Sequence, residues 1–94
     1  MITRVGISDA AEKDLKRVPK NIVRKLFFWV ELVENNGLAE VRKIPGFHDE
    51  PLKGRLKGTR SIRLSNAYRA FYVIKVDNTV ELVSIEAVNK HYYR

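Results

Sequence analysis

The chain has 94 residues, a net charge of +7 and no cysteine. At this length one hydrophobic core is expected, so we predict a single domain over residues 1–94. The absence of cysteine excludes disulfides and cysteine-ligated zinc, and two distant histidines, His48 and His91, do not indicate a metal site. The first residues soon become charged and contain no long apolar run, which predicts a cytoplasmic protein without a signal peptide or membrane span.

The N-terminal half reads as one strand followed by two helices. Residues 2–7 contain β-branched and apolar positions typical of a short strand. Ser8 or Asp9 then begins a first helix, in which Asp9 and Glu12 have the spacing of a capping box. A Val-Pro pair ends that helix. The second helix is predicted from Pro19 to Asn35, because apolar residues recur at helical spacing.

The apolar surface of the second helix is wider than the single stripe of an ordinary amphipathic helix. Phe28, Trp29 and Leu32 widen its apolar surface beyond the face that would contact a sheet. Two interpretations stay open: these side chains enlarge the core contact, or part of this surface contacts a partner protein.

The C-terminal half predicts three antiparallel strands. Residues 38–49 read as a connecting loop, and strands are expected at Thr59–Ser65, Tyr68–Val76 and Thr79–Ala87, with a tight turn at Asp77–Asn78. The element order predicts an α+β domain of two layers: an N-terminal strand is followed by a helical hairpin, and this hairpin packs on one face of an antiparallel sheet. The opposite face, without helices, is where a concave basic surface is expected.

Positive charge is concentrated in one segment, Pro51–Arg69, which we call the basic segment. It contains six cations and no acid, so it carries +6 of the chain's +7. The six are Lys53, Arg55, Lys57, Arg60, Arg63 and Arg69. Charge gathered on one loop and hairpin is typical of a surface that binds a polyanion.

A family resemblance rests on this segment and on the element order. A PLKG loop at 51–54, an SIRLS strand at 61–65 and a Y-R-x-x-Y strand at 68–72 resemble the RelE/ParE superfamily of bacterial toxins, and within it the RelE- and HigB-type messenger-RNA interferases. The resemblance implies a microbial-ribonuclease-like fold and the toxin of a type II toxin–antitoxin system, inhibited by a cognate antitoxin protein. It also implies an endoribonuclease that cleaves mRNA in the ribosomal A site by attack of the 2′-hydroxyl on the adjacent phosphate, without a metal or cofactor.

The resemblance carries four residues over as catalytic. Lys53 matches the lysine of the PLKG loop that faces the scissile phosphate, and Arg69 matches an arginine that stabilises this phosphate. His91 and Tyr92 fall where the family keeps C-terminal Tyr or His side chains near the reacting ribose. HigB-like chains often end Asp-Tyr-His, whereas this chain reads Asn-Lys-His-Tyr-Tyr. Which of His91, Tyr92 and Tyr93 acts as acid or base therefore stays open.

The remaining cations are expected to bind RNA phosphates rather than to take part in the chemistry. Such contacts set position and salt dependence. The predicted RNA-binding residues are Arg55, Lys57, Arg60, Arg63 and Lys90. Plainer interpretations stand beside the catalytic ones: Lys53 as a solvated loop residue, His91 as a surface histidine, and Arg69 as the ion-pair partner of Glu81 or Glu86.

Two other functions fit parts of the pattern. The ParE branch shares the fold but inhibits DNA gyrase, and it would not need Lys53, Arg69 and His91 together. A non-catalytic RNA- or ribosome-binding module would use the basic segment only for docking. It predicts that single changes at Lys53 or His91 leave the biological effect intact.

Overall fold

The computed structural model describes residues 1–90, and the α+β class predicted from the sequence is confirmed. The α-helices are α1 (Asp9–Leu15), α2 (Lys20–Asn36) and α3 (Leu38–Val41). The strands are β1 (Arg4–Ile7), β2 (Glu50–Pro51), β3 (Arg60–Arg63), β4 (Tyr68–Asp77) and β5 (Val80–Lys90). Short 3₁₀ helices occupy Pro45–Phe47 and Gly54–Leu56, so the predicted loop at 38–49 contains α3 and the first of these. The predicted residues His91 and Tyr92 lie outside the described residues.

The five strands form one sheet in the order β1-β5-β4-β3-β2. The β2–β3, β3–β4 and β4–β5 pairs are antiparallel, as expected. β1 pairs with β5 in parallel, with Val5 opposite Val83, so the sheet is mixed rather than antiparallel throughout. Parallel neighbours need a long connection between them, and here the helices and the other three strands provide it.

Local capping determines where the helices begin and end. The Ser8 side chain accepts a hydrogen bond from the backbone N–H of Ala11, so Ser8 is the N-cap of α1. The predicted capping box between Asp9 and Glu12 is therefore wrong, because Ala11 occupies the third helical position. α2 lies within one residue of its predicted bounds and ends at Gly37, whose φ of 85° suits glycine.

The core lies between the helices and one face of the sheet. Trp29 of α2 and Tyr72 of β4 are fully buried, with ring centroids 5.3 Å apart. Of the three residues that widen α2, Trp29 is buried, Leu32 packs against the core and Phe28 stays 50% exposed, next to Phe27 at 44%. The core interpretation is therefore confirmed for Trp29 and Leu32, and contact with a partner protein stays a prediction for the exposed Phe28. No helix within residues 1–90 has the length and apolarity to cross a bilayer.

The β4–β5 hairpin differs from its prediction in two places. Its turn is Asn78–Thr79, one residue later than expected, and both residues have positive φ (48° and 69°). The second difference is a β-bulge: Phe71 pairs with Ala87 and Tyr72 with Ile85, which leaves Glu86 as an extra residue. β5 also continues through Lys90, so part of the predicted tail is strand.

Candidate nucleic-acid interface

The central strands present two chemically different faces. Successive side chains of a strand point to opposite sides. Ile62, Ala70 and Ile85 are buried beneath the helices, and we call their side of the sheet the helix-side face. The opposite side, the open face, carries the cross-strand row Ser61, Phe71 and Ala87.

A cleft of about 280 Å³ lies on the open face. It is lined by Leu56, Thr59, Phe71, Glu86, Ala87 and Asn89. The first two residues belong to the basic segment, and the other four belong to β4 and β5. The basic segment therefore forms one wall of this open-face cleft through Leu56 and Thr59, but its cations are not among the lining residues, so the cleft matches the expected concave surface in position and not in charge.

Lys53 stands at the start of the loop that forms this wall. The loop is closed by a hydrogen bond from the Leu52 N–H to the Thr59 carbonyl, 2.9 Å long. Gly54 and Gly58 have φ values of 67° and 96°, a backbone conformation that favours glycine, and these let the chain reverse within six residues. Lys53 and the cations that follow on this loop are exposed, which suits contact with a solvated phosphate chain.

Arg69 is held in one position by its neighbours and is only 6% exposed. Its Nε and Nη2 donate to the Ser61 hydroxyl at 3.2 and 2.8 Å. Nη2 also donates to the His48 carbonyl and to Glu50 Oε1, each at 3.3 Å. These contacts fix the plane of the guanidinium, so Arg69 is preorganised rather than mobile.

The ion-pair partner of Arg69 is Glu50, so the pairing with Glu81 or Glu86 that the sequence left open is wrong. Glu86 instead pairs with Lys75, with an Nζ–Oε2 distance of 3.4 Å. The pairing differs from the prediction for two reasons. β2 places Glu50 opposite Ser61, next to Arg69, and the bulge in β5 changes the position of Glu86. Neither β2 nor the bulge is predicted from the sequence.

Arg60 belongs to a different cluster from the other cations. Its Nε donates to Asp49 at 2.7 Å, and the Asp49 side chain is 1% exposed. The Tyr72 hydroxyl donates to the same carboxylate at 2.6 Å. Burial, together with this hydrogen bond, raises the pKa of Tyr72 to about 12. The RNA-binding role of Arg60 stays a prediction. Its Nε already donates to Asp49, so only the other guanidinium nitrogens could contact a phosphate.

The other predicted site residues fall into two groups. Arg63 and Asn89 are the cross-strand neighbours of Arg69, and Lys90 is opposite Tyr68. Lys53, Arg55 and Lys57 form the second group, next to the Arg60 end of β3. The two ends of β3 are about 10 Å apart, three residues at the usual rise per residue. The open-face cleft is lined by Thr59, which precedes Arg60 in the chain, and by Asn89, which is opposite Arg69, but by none of the predicted cations themselves.

Three cleft residues were missed at the level of sequence. Phe71 could have been found, since strand alternation places it on the same face as Arg69. Asn89 was assigned to the tail because the predicted β5 ended too early. Glu86 lines the cleft because it is the extra residue of the β5 bulge, and no local pattern in the sequence predicts this bulge. Within residues 1–90 no group of three or more acidic or histidine side chains is placed to hold a metal ion.

Comparison with known proteins supports the same conclusion about the fold. No family model matches the sequence, and no curated protein matches it. The chain is similar to a chain of the E. coli DinJ-YafQ toxin–antitoxin complex, at 26% identity and a TM-score of 0.69 over 96% of this chain and 94% of that one. It is also similar to a chain of the YoeB-YefM complex from Staphylococcus aureus (25%, 0.65, over 95% and 97%). A third similar chain comes from the toxin–antitoxin complex RelBE2 of Mycobacterium tuberculosis (23%, 0.64, over 97% and 100%). The chain has the fold of the RelE/ParE-superfamily toxins.

Proposed function

We propose that this chain is the toxin of a type II toxin–antitoxin system and an endoribonuclease that cleaves mRNA in the ribosomal A site. The observation that carries the proposal is the open-face cleft, because the basic segment forms one wall and β5 leads past it toward the C-terminus. The fold shared with the YafQ, YoeB and RelE toxins supports it. In this proposal residues 1–94 act as one domain.

The proposed reaction is an internal transesterification that requires no metal. The ribose 2′-oxygen attacks the adjacent phosphorus, and the bond from phosphorus to the 5′-oxygen breaks. A base accepts the 2′-hydroxyl proton, and an acid donates a proton to the departing 5′-oxygen. The products are a 2′,3′-cyclic phosphate and a free 5′-hydroxyl. Charge builds up on the phosphate oxygens, so fixed cations accelerate the step.

Lys53 and Arg69 are the cations proposed for this phosphate. Lys53 is exposed at the start of the loop that carries Leu56 and Thr59, and it can neutralise the charge as a point cation. Arg69 is already oriented by Ser61 and Glu50, and a fixed guanidinium needs no reorganisation when charge develops.

His91 and Tyr92 are proposed for proton transfer and for stacking on a base. Asn89 lines the cleft and is paired with Arg69, and His91 follows only two residues later in the chain. A histidine exchanges protons near neutral pH because its usual pKa is about 6.5. A tyrosine can stack on an unpaired base or donate a proton.

Phosphates outside the reacting centre are proposed to contact the remaining cations. Arg55 and Lys57 are exposed on the loop that follows β2, Arg63 is partly exposed opposite Arg69 on β3, and Lys90 is exposed opposite Tyr68 on β5. Contacts of this kind weaken steeply as salt concentration rises.

A cognate antitoxin is the proposed protein partner. Phe27 and Phe28 leave an exposed aromatic patch on α2, away from the open face, and a basic toxin suits an acidic, amphipathic partner segment. Toxins of the same fold are known in complexes with DinJ and YefM, which supports this assignment.

The proposal is tested by cleavage of an mRNA during translation in vitro, with the 5′ ends mapped and their chemistry determined. The wild type should produce 5′-hydroxyl ends, also in the presence of a chelator. Lys53→Ala should slow cleavage by about 10²–10⁴-fold, the usual effect of losing a charge-stabilising or proton-transfer group.

Lys16→Ala is the matched control, because Lys16 is an exposed lysine at the end of α1, outside the basic segment. It should cleave like the wild type. Equal cleavage by Lys53→Ala and wild type would contradict the catalytic assignment. No mRNA cleavage, combined with inhibition of gyrase supercoiling, would replace the proposal with the gyrase function.

A further inference from the structure

The open-face cleft contains more than phosphate-binding groups. Phe71 is half-buried yet does not belong to the helix-side core, and Leu56 across the gap is 53% exposed. A phenyl ring and a leucine that face one gap form a slot suited to a flat apolar ring. Its volume of about 280 Å³ is at the small end for ligand sites, about 300–1,000 Å³, and suits one ring system.

Two polar side chains line the same slot. Asn89 offers an amide that both donates and accepts hydrogen bonds. Glu86 offers a carboxylate, which only accepts when ionised. An apolar platform beside a few fixed polar groups is how proteins bind an unstacked nucleobase.

Glu86 is fixed in this position by the fold. As the extra residue of the β5 bulge it has no cross-strand partner, and a bulge re-aims the side chain it carries. Its Oε2 accepts a hydrogen bond from the Ser84 hydroxyl at 2.5 Å and lies 3.4 Å from Lys75 Nζ. These contacts hold the carboxylate on the open face beside the slot.

We infer that this slot is a nucleobase subsite and that it selects bases with an exocyclic amino group over uracil; the inference rests on the proposed RNA function. The base stacks on Phe71, and its amino group donates to the Glu86 carboxylate. Asn89 donates to a ring acceptor. Uracil presents a carbonyl oxygen where cytosine presents an amino group, so with uracil the carboxylate faces another acceptor and repels it.

The test compares two 2′-O-methyl trinucleotides that differ only in a central cytosine or uracil. The methyl group removes the nucleophile, so binding is measured without cleavage. Binding is followed through the backbone amide signals of the protein in a ¹⁵N-correlation NMR titration. The cytosine probe should bind about fivefold or more tightly, and signals of Phe71, Ala87 and Asn89 should shift.

Three variants sharpen the assignment. Glu86→Gln should bring the cytosine-to-uracil ratio close to one, because an amide can also donate to the uracil carbonyl. Phe71→Leu should weaken both probes by about 5- to 150-fold and preserve their ratio, since it removes stacking alone. Glu12→Gln, at an exposed site on α1, is the matched control and should change neither.

Equal binding of the two probes by the wild type, or shifts confined to another surface, would overturn the subsite. If mRNA is cleaved as proposed but the probes bind equally, the subsite fails and the nuclease function stands. If the probes are discriminated but no mRNA is cleaved, the nuclease function fails and the subsite stands as an RNA-binding site.

Discussion

The two faces of the sheet hold their arginines in different ways. Arg60 lies by Asp49, which is almost fully buried and also accepts from Tyr72. Arg69, on the open face, is buried against Ser61, but its acidic partner Glu50 is 53% exposed and 3.3 Å away. An exposed carboxylate is screened by water and neutralises a neighbouring charge only weakly.

The two arginines differ in how far their charge is compensated inside the protein. The charge of Arg60 is compensated inside the protein, so the Asp49 cluster reads as a structural tie between β3, β4 and the preceding loop. The guanidinium of Arg69 is held in one orientation, but its charge is compensated less than that of Arg60 because Glu50 is exposed. Such a group is suited to binding an anion. Arg69 is the more buried side chain of the two, 7% exposed against 24% for Arg60, but its charge is the less compensated, which agrees with the phosphate contact proposed for it.

The substitution with the largest expected effect on stability lies on the helix-side face, where Trp29 packs on Tyr72. Trp29→Ala should lower the free energy of unfolding by about 3–5 kcal/mol, measured by urea denaturation, because it leaves a large cavity. Trp29→Phe is the control. It keeps an aromatic ring and removes an indole N–H that has no hydrogen-bond partner within residues 1–90, so it should cost less than half as much. A loss below about 1 kcal/mol for Trp29→Ala would contradict the core assignment.

An intermediate effect is expected on the open face. Ser61→Ala should lower the free energy of unfolding by about 1.5–3 kcal/mol, because a buried charged donor loses its acceptor. The same change should slow mRNA cleavage, since Arg69 would no longer be held in one orientation.

A double-mutant cycle with Arg69→Lys isolates this contact. Lysine lacks the planar fork that donates twice to Ser61, so the two changes should couple by about 1 kcal/mol or more. A coupling energy below about 0.5 kcal/mol would show that Ser61 does not position Arg69.

The smallest effect concerns the hydrogen bond from Tyr72 to Asp49. Tyr72→Phe should cost about 1 kcal/mol at neutral pH. The folded-state pKa of Tyr72, about 12, lies above its usual value of 10.0, so this contribution is complete below pH 10 and is lost as the pH rises toward 12. Stability of wild type and variant should therefore converge over that range. A tyrosinate absorbance step near pH 12 should be present in the wild type alone; its persistence in Tyr72→Phe would assign it elsewhere.

Features set by neighbouring residues could be predicted from the sequence. The periodicity of α2, the strands around Ile62 and Tyr72, and the glycine-bounded loop with its exposed cations all depend on local patterns, and the structure contains them. The predicted N-cap Ser8 is confirmed, whereas the capping box at Asp9, the turn at Asn78 and the end of β5 differ from their predictions by one to three residues, since competing caps and turns differ little in energy.

Local patterns in the chain are enough to predict the α+β class, the concentration of charge in residues 51–69 and the strand alternation that puts Phe71 and Arg69 on one face. The parallel pairing of β1 with β5, the ion pair between Arg60 and Asp49 and the bulge that turns Glu86 into the cleft are seen only in the folded molecule. The physical reason is that pairing and register depend on contacts between residues far apart in the chain. Many such pairings satisfy the same local pattern, and the packing of the whole core selects one of them.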